Sequence, residues 1–287
     1  MDPEILKQKE PFRQAVIDRL GPLPIDFAEQ RAFIDSTSQS AERYSAAGVL
    51  LLLFFRENAL PSPAGQRGEY CFHLIKRSAR VTQPGDLSCP GGMLAPRLDA
   101  FLKPLIAGGC VPVLQGDAKW HARQRRTAES EALMLFLTGA LRESWEEIRL
   151  SPFNVQFLGP LPCHSLILFR RTIFPLVGLV KKPPRYRPNR EVERIVEIPL
   201  PAFFQRENYA RLQVRTAQDI PQPERASWEF PCFLHQDETN GREILWGATF
   251  YIILRLLDIL FDFKLPDIRS NPAITRTLGQ TYMTGTK

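Results

Sequence analysis

The sequence has little cysteine and histidine, the usual ligands of zinc in proteins. It contains five cysteines and four histidines in 287 residues; no two cysteines stand in C-x-x-C spacing, and no histidines have metal-ligand spacing. Scattered cysteines in odd number are typical of a protein kept in a reducing compartment. We therefore expect no zinc site and a cytoplasmic location.

Long uninterrupted apolar runs are also absent. The most apolar stretch, residues 248–263, is interrupted by Arg255, Asp258 and Asp262, which fall on one helical face. This spacing predicts an amphipathic helix of the core and not a membrane span. The chain begins Met-Asp-Pro-Glu, which we do not interpret as a signal peptide, and it has no internal repeat.

The charge balance is moderately basic. A formal net charge of +6 suits an anionic ligand as well as nucleic acid. Because the basic residues are not clustered on a recognisable nucleic-acid motif, we expect neither a nucleic-acid partner nor a membrane partner. The length is sufficient for one large domain with additions.

An acidic motif occupies residues 139–150. Its glutamates Glu143, Glu146 and Glu147 stand at positions i, i+3 and i+4, which share one face of an α-helix. Like charges on one face repel, and a hard divalent cation such as Mg²⁺ would compensate them. The acids also stand at the C-terminal end of a helix for which Thr127 is the predicted N-cap, where the dipole disfavours acids. The alternative is a solvated acidic face.

The hydrophobic pattern predicts an α/β sandwich with a mixed sheet. Two helical segments separated near residues 21–24 precede the sheet, residues 201–227 are predicted as a short helix and loop, and an amphipathic helix begins at Gly247. Strands are predicted at residues 46–55, 70–77, 155–159, 172–180, 191–200, 230–234 and 243–246, the last two as a hairpin around Asn240-Gly241.

Three parts are predicted along the chain. Residues 1–45 form a helical extension, residues 46–265 the main domain, and residues 266–287 a tail. Residues 93–126 are interpreted as a long, partly mobile excursion. This excursion is either a lid or binding loop, or a solvated insertion without a role.

Residues 142–150 resemble the second half of the Nudix box, G-x5-E-x7-R-E-U-x-E-E-x-G-U, in which U is aliphatic. Ser144 stands at an aliphatic position, and Arg149 replaces the glycine that ends the helix. Residues 90–92, Pro-Gly-Gly, resemble the start of the box. No acid stands at the position of its first glutamate, counted from either half. The box is therefore interpreted as split by an insertion.

Flanking segments are similar to the coenzyme A pyrophosphatase group of the same family. The resemblance runs from about residue 46 to about residue 260. The similar segments are residues 74–78, 85–92, 174–178, 189–193 and 244–249.

The resemblance implies a Nudix-like α/β/α sandwich that hydrolyses a diphosphate with Mg²⁺ or Mn²⁺. Glu143, Glu146 and Glu147 would hold the metal, with Glu143 as ligand or base. Arg142 would orient these carboxylates by charge-assisted hydrogen bonds.

The resemblance also implies a substrate-binding set. Gly91 and Gly92 would contact phosphate or metal through the backbone, with a structural turn as the alternative. Arg77 and Arg80 would bind substrate phosphates, although a solvated arginine is an alternative for Arg80. Glu191 and Glu193 are candidates for a downstream acid, or exposed carboxylates of a strand.

Three functions are open on this basis. The first is cleavage of coenzyme A or an acyl derivative to 3′,5′-ADP and 4′-phosphopantetheine. The second is hydrolysis of another nucleoside diphosphate derivative. The third is a degenerate domain that binds a nucleotide without cutting it. The partner is in each case a small molecule, and a homodimer is left open.

Overall fold

The chain folds around a mixed sheet with helices packed against it. The computed structural model describes residues 1–39, 43–57, 68–166, 169–216, 227–237, 239–279 and 282. These residues form an eight-stranded mixed sheet, a four-stranded sheet and six α-helices. The predicted mixed α/β sandwich is confirmed, but a second sheet was not expected.

The helices and strands have the following bounds. The helices are α1 (Lys9–Leu20), α2 (Phe27–Ser36), α3 (Pro96–Ala107), α4 (Gly116–Gln124), α5 (Thr127–Ile148) and α6 (Gly247–Phe261). The strands of the main sheet are β1 (Ser45–Glu57), β2 (Gly68–Arg77), β3 (Leu87–Ser88), β4 (Gly91–Met93), β5 (Val155–Pro160), β6 (His164–Leu166), β7 (Arg171–Val180) and β8 (Val192–Pro199). The second sheet contains β9 (Tyr209–Thr216), β10 (Ser227–Asp237), β11 (Gly241–Leu245) and β12 (Ala273–Leu278).

Strand β1 is the centre of the main sheet, whose order is β3-β2-β1-β7-β5. It pairs in parallel with β7 and antiparallel with β2 and β4. Its continuous apolar run is buried on both faces, as the lack of alternation predicted. The turn predicted between β1 and β2 lies largely outside the described residues.

Helix α5 lies directly against β1 and β7. A side chain at Gly48 would come within 2.8 Å of the carbonyl oxygen of Phe136, so the close approach requires a glycine. The rings of Phe136 and Phe174 stack with centroids 3.5 Å apart. This packing fixes the helix that carries the acidic motif relative to the sheet edge. The helix begins at Thr127, and Arg126 is its N-cap, so the predicted cap is wrong by one residue.

The insertion contains two helices, α3 and α4, which were not predicted. Helices α3 and α4 bury Ile106, Ala118 and Ala122 in the main core. The guanidinium of Arg125 donates to the carbonyl oxygens of Gly21 at 2.7 Å and of Leu23 at 2.9 Å. The insertion and the N-terminal helices therefore support each other.

The second sheet includes two strands that were not predicted. Strand β9 lies where a short helix and loop were expected, although the alternation of its buried Ala210, Leu212 and Val214 is a strand signal. Strand β12 lies within the predicted tail and pairs in parallel with β9. The predicted hairpin of β10 and β11 is confirmed.

A buried ion network joins the two sheets. Glu243 on β11 is 4% exposed and accepts hydrogen bonds from Lys76 on β2, at 3.0 Å, and from Arg194 on β8. Arg194 also contacts Asp237 on β10 at 2.8 Å. A carboxylate this deeply buried is stable only when such partners surround it.

Within the part of the chain that the structure describes, no helix combines the length and the apolar character needed to cross a membrane.

A buried histidine lies beneath the segment that follows β7. His73 shares a hydrogen bond of 2.6 Å through Nδ1 with the hydroxyl of Tyr186. Its Nε2 lies 3.4 Å from a carboxylate oxygen of Glu197, beyond the length of a good hydrogen bond. Burial, and in addition the charge of Arg56, lowers the pKa of His73 to about 4. The ring is therefore neutral in the folded protein near neutral pH.

This histidine predicts a loss of stability in mild acid. The unfolded chain protonates His73 below a pH of about 6.5, whereas the folded chain does so only near its lowered pKa, so the stability present above that pH is lost as the pH falls. We expect His73 to account for a loss of about 2 kcal/mol in the free energy of unfolding between about pH 7 and pH 5.

Urea unfolding of the wild type and of His73→Gln at both pH values measures the effect. Histidines elsewhere in the chain contribute equally to both proteins, so the difference between the two unfolding free energies isolates His73. The same pH dependence in both proteins would contradict the prediction.

Candidate functional site

Arg142 is the centre of the candidate site. The side chain is 9% exposed, and its Nε donates to Asp99 at 2.8 Å. Its Nη1 donates to Glu143 at 2.8 Å and to Glu146 at 3.0 Å. Its Nη2 donates to the carbonyl oxygen of Met93 at 3.1 Å. One guanidinium thus ties α5 to α3 and to β4.

The guanidinium of Arg142 stays protonated in the folded protein. Burial alone would lower its pKa, but the hydrogen bonds to Asp99 and Glu143 outweigh that effect and raise the pKa above its usual value. Arg142 is therefore a permanent cation that orients the carboxylates around it.

Asp99 is a site residue that the sequence analysis missed. It is fully buried in α3, inside the insertion, and it also accepts the N–H of Ala95 at 2.7 Å. It stands 43 residues before Arg142 and directly after Leu98, the position that a count from Gly92 gives for the first glutamate of the box. Asp99 supplies an acid next to the arginine, where the split box lacks its first glutamate.

Glu147 is the most buried of the three glutamates of α5. It is 6% exposed, and its Oε2 accepts the N–H of Gly91 at 2.9 Å. Burial raises its pKa to about 8; the Gly91 hydrogen bond and the charge of Arg77 oppose this rise, and the charges of Glu143 and Glu191 add to it. These four neighbours and Glu147 share one electrostatic environment.

The two glycines of β4 allow the backbone to lie close to the glutamates of α5. A side chain at Gly92 would lie 2.6 Å from Cδ of Glu143, so this position tolerates only glycine without a shift of the carboxylate. The amide of Gly91 already binds Glu147. The structure thus places both predicted glycines at the acids.

Arg149 ends α5 in the manner of a glycine. It adopts a left-handed conformation with φ +57°, and its N–H donates to the carbonyl oxygen of Trp145 at 3.0 Å. Its guanidinium lies over the Trp145 ring, 5.4 Å from the centroid. The departure from the box at this position therefore preserves the helix end.

The two predicted substrate-binding arginines are close in sequence. Arg77 is the last residue of β2, and Arg80 lies in the loop that follows, residues 78–86. Arg77 donates through Nε to the carbonyl oxygen of Thr82 at 2.8 Å, and its charge acts on Glu147. Arg80 is exposed. In the described residues no hydrogen bond or ion pair joins the Arg80 side chain to the acids. The structure brings Arg77 to the acids but not Arg80.

The C-terminal part of the chain supports this loop. Asp86 accepts hydrogen bonds from the Trp246 indole at 3.1 Å, from Arg276 and from the Tyr282 hydroxyl. Arg276 also donates to the carbonyl oxygen of Pro84 at 2.9 Å. Trp246 is therefore a packing and hydrogen-bonding residue.

The downstream acids differ in position. Glu191 acts electrostatically on Glu147, whereas Glu193 lies 3.4 Å from Lys76 on the main sheet. Only Glu191 therefore lies near the acids of α5.

The donor set of α5 fits a hard divalent cation. Burial raises the pKa of Glu143 as well as that of Glu147, so both carboxylates are short of positive charge. In the ranges that the structure describes, no three acidic, histidine or cysteine side chains are grouped so that they could hold a metal ion. Glu143 and Glu146 are held by Arg142 instead. The oxygen chemistry fits Mg²⁺ or Mn²⁺.

Comparison with known proteins gives one curated relative. An uncharacterized Nudix hydrolase, NudL of Pectobacterium atrosepticum, is 36% identical over 121 residues, which are 41% of this chain and 55% of that protein. The chain thus matches about half the length of this relative. No protein-family model matches the chain. The match supports the Nudix resemblance and does not test the coenzyme A group.

Solved structures give weaker likenesses. A Nudix hydrolase from Alicyclobacillus acidocaldarius is 14% identical, covers 56% of this chain and 81% of its own, and has a TM-score of 0.34. RenU, a Nudix hydrolase from M. smegmatis, is 15% identical, with 54% and 70% covered and a TM-score of 0.32. A C. elegans Ap4A hydrolase is 12% identical, with 53% and 78% covered and a TM-score of 0.32. These scores are too low to carry an argument about function.

The pairing of Arg142 with Asp99 predicts a large loss of stability when it is broken. Asp99→Ala leaves the guanidinium buried without its main partner, and we expect the free energy of unfolding to fall by about 3 kcal/mol or more. Lys103→Gln is the matched control on the same helix, because it removes only the surface pair with Glu131 and costs about 1 kcal/mol or less. Equal effects of the two variants in urea unfolding would refute the central role of this pair.

Proposed function

We propose that this chain is a Nudix-type pyrophosphohydrolase that uses Mg²⁺ or Mn²⁺ and cleaves the diphosphate of coenzyme A or an acyl derivative. The observation that carries the proposal is the meeting of three glutamates of α5 with the Gly91–Gly92 backbone around Arg142. The identity to a Nudix hydrolase supports it.

The residues would divide the work as follows. Glu143, Glu146 and Glu147 would hold the cation, which neutralises the charge of the diphosphate and of its leaving group when bound. Arg142 keeps the Glu143 and Glu146 carboxylates in place, and Asp99 keeps Arg142 in place. A rigid arrangement of this kind costs little reorganisation during the reaction.

A proton acceptor is also needed to activate water. Glu143 is the candidate, as ligand or as base, because burial raises its pKa and Arg142 holds one of its oxygens. On the substrate side, Arg77 and Arg80 would bind phosphate oxygens, and Gly91 and Gly92 would let the diphosphate approach the backbone.

A domain that binds nucleotide without cutting it is the second candidate. It is favoured because, in the described residues, no three acidic, histidine or cysteine side chains are grouped so that they could hold a metal ion. Two departures from the box, the missing first glutamate and Arg149, also favour it, but they count for less in the structure, since Asp99 pairs with Arg142 and Arg149 ends the helix in left-handed conformation. Another nucleoside diphosphate derivative as substrate is a variant of the first proposal.

Turnover of coenzyme A, ADP-ribose and NADH, each with Mg²⁺ or Mn²⁺, tests the proposal. We expect phosphate-ester products from coenzyme A, and we expect Glu147→Gln to lower kcat by about 100-fold or more because it removes a charged ligand oxygen. Glu131→Gln, an exposed acid of the same helix, is the control and should keep the wild-type rate.

Three results would decide between the alternatives. Full turnover by Glu147→Gln would refute the metal assignment. Products from ADP-ribose or NADH alone would change the substrate. Binding of all three compounds without any product would favour the non-cutting domain.

A further inference from the structure

A strongly basic segment follows β7 and has not been assigned a role. Residues 181–190, the basic segment, contain no acid and five basic residues: Lys181, Lys182, Arg185, Arg187 and Arg190. All but Lys181 are exposed. In the part of the chain that the structure describes, none of the five has a carboxylate partner.

The basic segment is fixed to the helix that carries the acids. The N–H of Arg187 donates to the carbonyl oxygen of Ile148 at 2.9 Å, and the N–H of Asn189 donates to that of Glu147 at 2.7 Å. These bonds satisfy two of the free carbonyls at the C-terminus of α5. The backbone of the basic segment is thus in direct contact with the end of the candidate site.

Further contacts hold the other half of the basic segment. The amide of Asn154 accepts the N–H of Lys182 at 3.0 Å and donates to its carbonyl oxygen at 2.9 Å. Tyr186 points inward to His73. The cations are therefore displayed on an ordered backbone, which reduces the entropy lost when they bind an anion.

One hydroxyl joins the basic segment to the loop of the substrate arginines. The Ser78 Oγ donates to the carbonyl oxygen of Arg190 at 2.7 Å and accepts the N–H of Arg80 at 3.3 Å. The N–H of Ser78 also donates to the carbonyl oxygen of Glu191 at 2.9 Å. Arg80 and Arg190 are therefore backbone neighbours on either side of Ser78.

The basic segment adds positive charge next to the candidate site. The charge of a diphosphate bound at the glutamates would be neutralised in part by the cation that they would hold and by Arg77. Arg187 and Arg190 are exposed on the segment whose backbone contacts the end of α5 and Ser78, and in the described residues neither has a carboxylate partner. Uncompensated cations held close together beside an anion site are stabilised by a further anion.

We propose that Arg187 and Arg190 bind a phosphate group of the substrate other than the diphosphate that is cut. The substrate class is then a nucleoside diphosphate derivative that carries an additional phosphate monoester. This inference rests on the proposed function, and it assigns to the basic segment the choice between substrates with and without that group.

Two substrates that differ only by one phosphate test the assignment. Coenzyme A and 3′-dephospho-coenzyme A are compared by kcat/KM for the wild type and for the double variant Arg187→Gln/Arg190→Gln. We expect the variant to lower kcat/KM for coenzyme A about tenfold more than for the dephospho form, since charge-assisted contacts to the extra phosphate are lost.

The matched control is Arg123→Gln/Arg126→Gln, which also removes two exposed arginines. Arg126 precedes α5, and the helix places it about 30 Å from Glu147. The control should keep the wild-type ratio of the two kcat/KM values. If Arg187→Gln/Arg190→Gln lowered kcat/KM equally for both substrates, so that the ratio of the two values was unchanged, the assignment would be overturned.

Failure of the proposed function is recognised separately. If the wild type cuts neither compound, calorimetry with 3′,5′-ADP and with 5′-AMP replaces the kinetics. Tighter binding of 3′,5′-ADP by the wild type, lost in Arg187→Gln/Arg190→Gln and kept in the control, supports the phosphate site. Equal binding of the two nucleotides by the wild type refutes it.

Discussion

The guanidinium of Arg142 is the interaction on which the site depends. It reaches a carboxylate on α3, a backbone carbonyl on β4 and two carboxylates on its own helix. A buried cation of this kind is stable only because Asp99, itself fully buried, repays its desolvation. The same pairing ties the insertion to the acidic motif, so the insertion is part of the site's framework.

Two glutamates of the candidate site repel each other electrostatically. Glu143 and Glu147 are buried close enough for their charges to interact, and both pKa values are raised. The N–H of Gly91 stabilises the charge of Glu147 by a hydrogen bond. Gly92, which has no side chain, leaves room for the carboxylate of Glu143. Such raised pKa values are typical of functional sites.

The remainder of the fold holds the loops around these acids. The second sheet is joined to the main sheet through Glu243, and the C-terminal strand supports the loop of Arg77 through Asp86. On the other side, the basic segment is bound to the end of α5. The cationic loops thus have fixed positions relative to the glutamates, which is what recognition of a multiply charged phosphate compound requires.

The sequence by itself determined the local features. The spacing of Glu143, Glu146 and Glu147 placed them on one helical face, apolar runs located the strands of the main sheet, and the paired glycines were identified beside the acids. These signals are local, because helical and strand periods are properties of consecutive residues. Even so, β9 was missed despite its alternating pattern. The roles of the site residues and the domain boundaries stay predictions.

Only the tertiary structure decided which distant groups meet. Asp99 stands 43 residues from Arg142, and Ser78 lies 112 residues from Arg190. No periodicity connects such positions, because their contact depends on how α3 packs on α5 and how the chain returns after β7. The acidic face could therefore be recognised from the sequence, whereas the packing that brings Asp99 to Arg142 and the basic segment to the end of α5 could not.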